Sequence, residues 1–340
     1  MPSYKIIQAE PETYKEAIRK FWEDYLPGTP GGRFDWLNSG NPAGPALWFL
    51  AFEDKSGDLA GTISVMPRDF SYRGKKLRAG IMGDFMVRST DRVFGPGLVL
   101  PKAVVSQMAE LGFDLLYTVP NLKSKKIIEK SGLKVSITLK HLVKPVATAQ
   151  YLSKYVPDAL SDFIALIPDT LISILSALAV PFGKNDIEEE NIADESFDVL
   201  WSKMRENDEG LLGERGSAYL NWKYFRNPQF DFRLITCRDT HGELLGYVFY
   251  TVDSGKLDVY EITSLNGRCA RNMLRELGIQ ARSEGYPGIG IRITDNDPVM
   301  PWLRRMLFFD ARDDIQVLSV TRDNDIDYST WHFIGGDRNI

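Results

Sequence analysis

The chain is poor in the residues that most often carry chemistry by themselves. Among 340 residues there are 2 cysteines, Cys237 and Cys269, and 3 histidines, His141, His241 and His332, set far apart. Two cysteines exclude a disulfide framework and a cysteine-rich zinc site, and they fit a reducing, cytoplasmic setting. The histidines lack metal-ligand spacing, so no metal cofactor is expected. Positive charge is not in excess either: 41 Lys and Arg stand against 46 Asp and Glu, a net charge of −5. That gives no basic footprint for a nucleic-acid backbone, and no nucleic-acid partner is expected. Residues 1–7 lack the apolar core of a secretion signal. A long uninterrupted apolar run is missing too. The most apolar stretch, residues 163–182, is broken by Pro168 and Asp169. An Asp at the centre of a spanning helix costs about 2.5–3.5 kcal/mol even on the insertion scale. The stretch reads as one or two amphipathic helices packed between domains, with contact to a membrane surface the less favoured alternative.

What is present is an ordinary globular composition in a chain too long for one core, so two domains are expected. Apolar periodicity and turn residues predict an α/β order. A helix starts at 10–13 and runs through 22, and a Gly/Pro-rich loop spans 27–45. Strands at 48–52 and 60–66 form a hairpin, and a further strand ends near Arg88. A helix at 98–111, a strand at 113–119, a helix at 121–130 stopped by Gly132, and a strand at 133–143 follow. Charge and turn residues at 183–194 mark a boundary, after which the order returns. Helices at 197–207 and 219–226 precede strands at 232–237, 244–252 and 257–262. A helix at 269–284, a strand at 288–293, a helix at 298–307 and strands near 315–321 and 331–334 complete it. The expected division is 1–145, a helical linker 146–190, and a second copy at 191–340.

The most informative junction is Arg92, Val93, Phe94, Gly95, Pro96 and Gly97, with Leu98 opening the helix behind it. Two glycines let backbone N–H groups turn outward and approach an anion closely, because no Cβ intervenes. A helix N-terminus adds unpaired donors and the positive end of its dipole. Such a junction holds a pyrophosphate, and here it points to coenzyme A. The corresponding stretch of the second copy, 263–268, keeps only Gly267, so the same nest does not form there. Arg268 and Arg271 read as a solvated helix start.

Strand, Arg92-x-x-Gly95-x-Gly97 loop, helix, strand and then Asn121 opening a further helix together resemble the GNAT acyltransferase superfamily. Its signature is Gln or Arg, two variable residues, Gly, one variable residue, then Gly or Ala. The resemblance implies two tandem α/β (α+β) domains, each a mixed, mostly antiparallel sheet flanked by helices, with a degenerate second copy. It also implies acetyl-CoA or another acyl-CoA as co-substrate and direct attack by a primary amine of a small molecule or peptide. By family position Met86 and Val87 supply backbone N–H groups to the thioester carbonyl, and Asn121 caps its helix and contacts the pantetheine arm. An acidic residue on the central strand commonly acts as base, which fits Asp84. The other reading of Asp84 is a buried carboxylate bonded to a loop or an arginine. The family's tyrosine acid is replaced by Ile128, leaving Tyr117 as a substitute acid or as core. Arg33, Phe34 and Trp36 fall where the family builds acceptor contacts. Two other functions stay open: an aminoacyl-tRNA-dependent transferase of the peptidoglycan-bridge type, and a non-catalytic acyl-CoA-binding or membrane-peripheral protein.

Overall fold

Residues 3–89, 95–146, 186–253, 255–323 and 325–339 are described by a computed structural model. The expected apolar segment 163–182 and the loop residues Arg92, Val93 and Phe94 lie outside them.

The first half begins with β1 (Tyr4–Ala9) and α1 (Pro11–Tyr25). Pro11 suits the first helical position, where its missing N–H has no acceptor to lose. Ile18, Phe21 and Trp22 recur at helical spacing and are the buried side chains of α1. The Gly/Pro-rich loop contains a short helix, α2 (Arg33–Asn38). Then come β2 (Leu47–Glu53), β3 (Leu59–Tyr72) and β4 (Lys75–Val87), an antiparallel meander. After α3 (Pro96–Ser106), β5 (Leu115–Thr118) returns parallel to β4. The short α4 (Lys125–Lys130) and β6 (Lys134–Pro145) follow.

The second half repeats this grammar with additions. β7 (Asp186–Glu190), α5 (Glu195–Asn207), β8 (Leu211–Gly213) and α6 (Ser217–Leu220) precede β9 (Arg233–Arg238), β10 (Leu244–Asp253) and β11 (Lys256–Ser264). The stretch expected as linker thus ends in a strand, β7, paired with β9; its charged sequence carries no strand periodicity. After α7 (Gly267–Ser283), β12 (Gly288–Ile293) runs parallel to β11, as β5 does to β4. α8 (Met300–Arg305), β13 (Phe309–Asp310), β14 (Ile315–Thr321) and β15 (Trp331–His332) complete the order.

The strands join in the sequence β1-β2-β3-β4-β5-β14-β6-β12-β11-β10-β9-β7. At its centre the halves exchange strands. β14, from the C-terminal half, pairs with β5 of the first half, while β6 of the first half pairs with β12 of the second. Neither 1–145 nor 191–340 therefore completes its own sheet. Helices α3 and α7 pack over their halves, each above its own apolar cluster. A third and larger cluster runs along the seam. Within it Trp36 stacks on Trp222 at 4.8 Å, and each indole N–H donates to the other's backbone carbonyl.

Candidate active site

The site begins with a defect in a strand. The register of β3 against β4 shifts between Thr62↔Met86 and Ser64↔Gly83, leaving a bulge at Asp84 and Phe85. Asp84 takes φ = 46°, a left-handed conformation that Asp tolerates better than most residues. Strict alternation would place Asp84 on the face of Met82. The bulge turns it to the opposite face, where Ser64 Oγ donates to Asp84 Oδ2 at 2.7 Å.

Beside the bulge the sheet opens. β4 and β5 pair only at Ala79↔Leu115, Gly80↔Leu116 and Ile81↔Tyr117, then part. Backbone N–H groups of β4 that face β5 beyond Ile81 consequently have no ladder partner on that side. The wedge is a cavity of about 220 Å³ between residues 82–85 and 118–121. Ile63, Met82 and Ile128 close its apolar side, and Arg338 and Asn339 from the chain's last residues form part of its wall.

At the start of α3, Gly95 holds φ = 144° and the Tyr4 ring packs against it. A Cβ there would lie 2.6 Å from Tyr4 Cε2, so both conformation and space demand glycine. Leu98 N–H donates back to the Gly95 carbonyl, and the remaining first-turn N–H groups have no acceptor within the helix. Asn121 Oδ1 accepts from Lys123 N and Ser124 N at 3.0 and 2.9 Å, capping the turn before α4. Its amide nitrogen makes no hydrogen bond among the described residues and lies on the wedge.

The remaining expected side chains sort themselves clearly. Asp84 lines the wedge but is already engaged: Arg33 Nε donates to Oδ1 at 2.8 Å, and Ser64 and Asn339 donate to Oδ2. Burial disfavours its charge, yet the guanidinium and the two other donors hold the carboxyl below its ordinary pKa. It is the arginine-bonded carboxylate of the two roles open to it, not a free base. Arg33 also donates from Nη1 to Gln229 Oε1 and from Nη2 to Asn339 Oδ1, at 3.2 and 3.0 Å. Tyr117 is corrected outright as an acid. It is fully buried among Phe70, Trp331 and Phe333, donates its hydroxyl to the Asp337 carbonyl at 3.0 Å, and has its pKa pushed up by burial. Phe34 and Trp36 are corrected as acceptor contacts: Phe34 stacks on Trp48 and Trp36 on Trp222, both in the core.

Sequence reasoning missed the segment 333–339. Asp337 is buried between Arg68 at 2.5 Å and Arg215 at 3.2 Å, and Arg215 also pairs with Glu261 at 2.9 Å. The Arg338 carbonyl accepts from Lys223 Nζ at 2.8 Å. These anchors deliver Asn339 over Gly83, where a Cβ would overlap its amide. In the second half the same segment fills the matching opening. Beyond Val259↔Ile291, where β11 and β12 part, Ile334 bridges to Ile293 and Thr294 N–H donates to the Phe333 carbonyl. At the start of α7, Asn266 Oδ1 accepts from Cys269 N and Trp302 covers Gly267. One opening is free and its counterpart is closed by protein.

No family model matches the sequence, and no curated protein matches it. Solved structures share the fold. A GCN5-related N-acetyltransferase from Kribbella flavida superposes with a TM-score of 0.63 at 12% identity, over 94% of this chain and 71% of that one. A GCN5-related N-acetyltransferase from Anabaena variabilis gives 0.66 at 11%, over 93% and 72%. Saccharomyces cerevisiae N-myristoyltransferase with bound myristoyl-CoA gives 0.57 at 11%, over 94% and 79%. The chain thus has the fold shared by GCN5-related N-acetyltransferases and N-myristoyltransferase, as the sequence resemblance implied.

Proposed function

We propose that this protein is an acyl-CoA-dependent N-acyltransferase that moves a short acyl group, acetyl in the first instance, from coenzyme A to a primary amine. The observation that carries the reading is the open wedge between β4 and β5, flanked by a bulge on one side and a glycine-started helix on the other. The pyrophosphate sits at Gly95 and Gly97, the pantetheine arm passes Asn121, and the Val87 N–H, which faces away from β3, polarises the thioester carbonyl. The amine nitrogen attacks the carbonyl carbon, the C–S bond breaks with its electron pair going to sulfur, and the amine's proton leaves through water. Holding both reactants in line supplies much of the rate. A lysine-like amine of pKa about 10.4 costs about 4–5 kcal/mol to deprotonate at pH 7. Asp84 holds the bulge and Arg33 in place during this step. The transferred acyl group is short because, among the described residues, Ile63, Met82 and Ile128 are packed behind the wedge. Two buried, unbridged cysteines suit a cytoplasmic setting. Among the described residues no helix is long and apolar enough to cross a membrane, and no cluster has the make-up of a metal site.

One observation favours a binding-only alternative: neither Tyr117 nor Asp84 is free to move a proton. Calorimetry with acetyl-CoA, followed by thiol release over a panel of primary amines, separates the two. Gly97→Trp should reduce acetyl-CoA affinity at least a hundredfold while leaving the fold intact; unchanged affinity would defeat the assignment of the loop.

A further inference from the structure

We propose that the outer face of α4 docks an acidic carrier protein that presents the acyl group on a phosphopantetheine arm, a second donor beside coenzyme A. This rests on the reading of the wedge given above, because the arm and its thioester are common to both donors.

Residues 121–134 hold five lysines against the single Glu129, in a chain whose net charge is −5. Lys125 pairs with Glu129 at 3.7 Å. Lys123, Lys126 and Lys130 are exposed, and none of the three pairs with a carboxylate among the described residues. Their place on the helix decides what they can meet. Lys125 N–H donates to the Asn121 carbonyl, so the helical path begins at Asn121. Asn121, Ser124 and Ile128 follow one another at spacings of three and four and line the wedge. Lys123, Lys126 and Lys130 keep those spacings two residues further on, about 200° around the axis, and so stand on the opposite side. They do not clasp a phosphate inside the wedge; they face whatever stands beside it. Apolar contact is available there as well. Leu122, next to Asn121, is 93% exposed, and α3, packed beside α4, presents exposed Val99 and Lys102. A free nucleotide makes little use of lysines turned away from its phosphates, whereas an acidic protein surface matches both the charge and the apolar residues.

The single phosphate that joins such an arm to its carrier takes the place of the coenzyme A pyrophosphate at the start of α3. In the transfer the amine nitrogen bonds to the carbonyl carbon, and the C–S bond breaks with its electron pair going to sulfur. The arm leaves as a thiol, taking up through water the proton that the amine releases.

The test uses the whole protein and a purified acidic acyl carrier protein in apo, holo and acetylated forms. Calorimetry should show the acetylated form binding at least tenfold more tightly than the apo form, with both weakened at least tenfold between low and physiological salt. Lys126→Glu combined with Lys130→Glu should weaken every carrier form at least tenfold and leave acetyl-CoA affinity within twofold, whereas arginine at both positions should retain carrier binding. No binding of the acetylated carrier, binding untouched by charge reversal in a folded double variant, or an equal loss for carrier and acetyl-CoA overturns the proposal. Anionic lipid vesicles that bind where the carrier does not also overturn it. Failure of acetyl-CoA itself to bind would instead defeat the assignment of the wedge, and the response of the apo carrier to charge reversal still decides the docking.

Discussion

Replacing Gly83 with alanine should act almost entirely through Asn339, a residue at the far end of the chain. The backbone at Gly83 is not left-handed, so alanine is tolerated locally, but its Cβ would overlap the Asn339 amide. That amide donates to Asp84 at 3.2 Å and accepts from Arg33 at 3.0 Å. Hydrogen bonds to charged groups contribute about 1.5–3 kcal/mol each when both partners are dry. Here Asp84 keeps Arg33 and Ser64, Arg33 keeps Asp84 and Gln229, and the open wedge admits water. The combined loss should be about 1–3 kcal/mol for Asn339→Ala. Gly83→Ala should lose the same contact but recover about 0.4–1 kcal/mol from the less flexible unfolded chain. The signature is in the cycle. Because both substitutions remove one contact, the double variant should be no less stable than Asn339→Ala alone, giving a coupling of at least about 1 kcal/mol. Urea unfolding followed by tryptophan fluorescence at constant m-value measures it. Additive destabilisation in the double variant would refute the claim that Gly83 exists to seat Asn339.

Two further outcomes follow from the buried groups. Tyr117→Phe removes one hydrogen bond to the Asp337 carbonyl and should cost about 0.5–1.5 kcal/mol of stability, with kcat for acyl transfer within twofold; a tenfold fall in kcat would return Tyr117 to the chemistry. Lys223 has a folded pKa depressed below the unfolded value of about 10.4, so between the two the unfolded chain holds the extra proton and stability rises with pH. Wild type should gain on Lys223→Met by up to about 1.4 kcal/mol per pH unit within that window, and parallel pH profiles of the unfolding midpoint would show that Lys223 is charged in the fold.

What was legible in the sequence is what local physics decides. The amphipathic spacing of α1 and the hairpin of β2 and β3 are each set by residues within a few positions of one another. The short helix α2 escaped because its glycine-rich flanks look like loop, and β7 because its side chains are nearly all charged. Strict alternation faces Asp84 the wrong way, since one extra residue in a strand reverses everything beyond it and no composition announces a bulge. The aromatic residues of the loop 27–45 fall where the resembled family builds acceptor contacts. Trp36 belongs to the seam instead, through a partner 186 positions away that periodicity cannot reveal. Arg338 and Asn339 reach the site from the segment after β14 and Gln229 from the loop before β9, so no window of sequence contains both them and Asp84.

That exchange also explains why two halves with a similar order of elements differ at their parallel-strand openings. Were each half to close its own sheet, the two parallel-strand wedges would be equivalent, and loss of one glycine would be the only difference between them. Passing β6 to one side and β14 to the other carries the residues after β14 into the seam. There segment 333–337 occupies the opening of the second half, with Asp337 fixed by two buried arginines. The two residues that follow reach the first wedge without filling it. Breaking a buried pair by removing one partner typically costs about 3–5 kcal/mol, so the segment is a structural strut rather than a mobile tail. The same segment that bridges the second half's strands thus holds Arg338 and Asn339 against the first wedge.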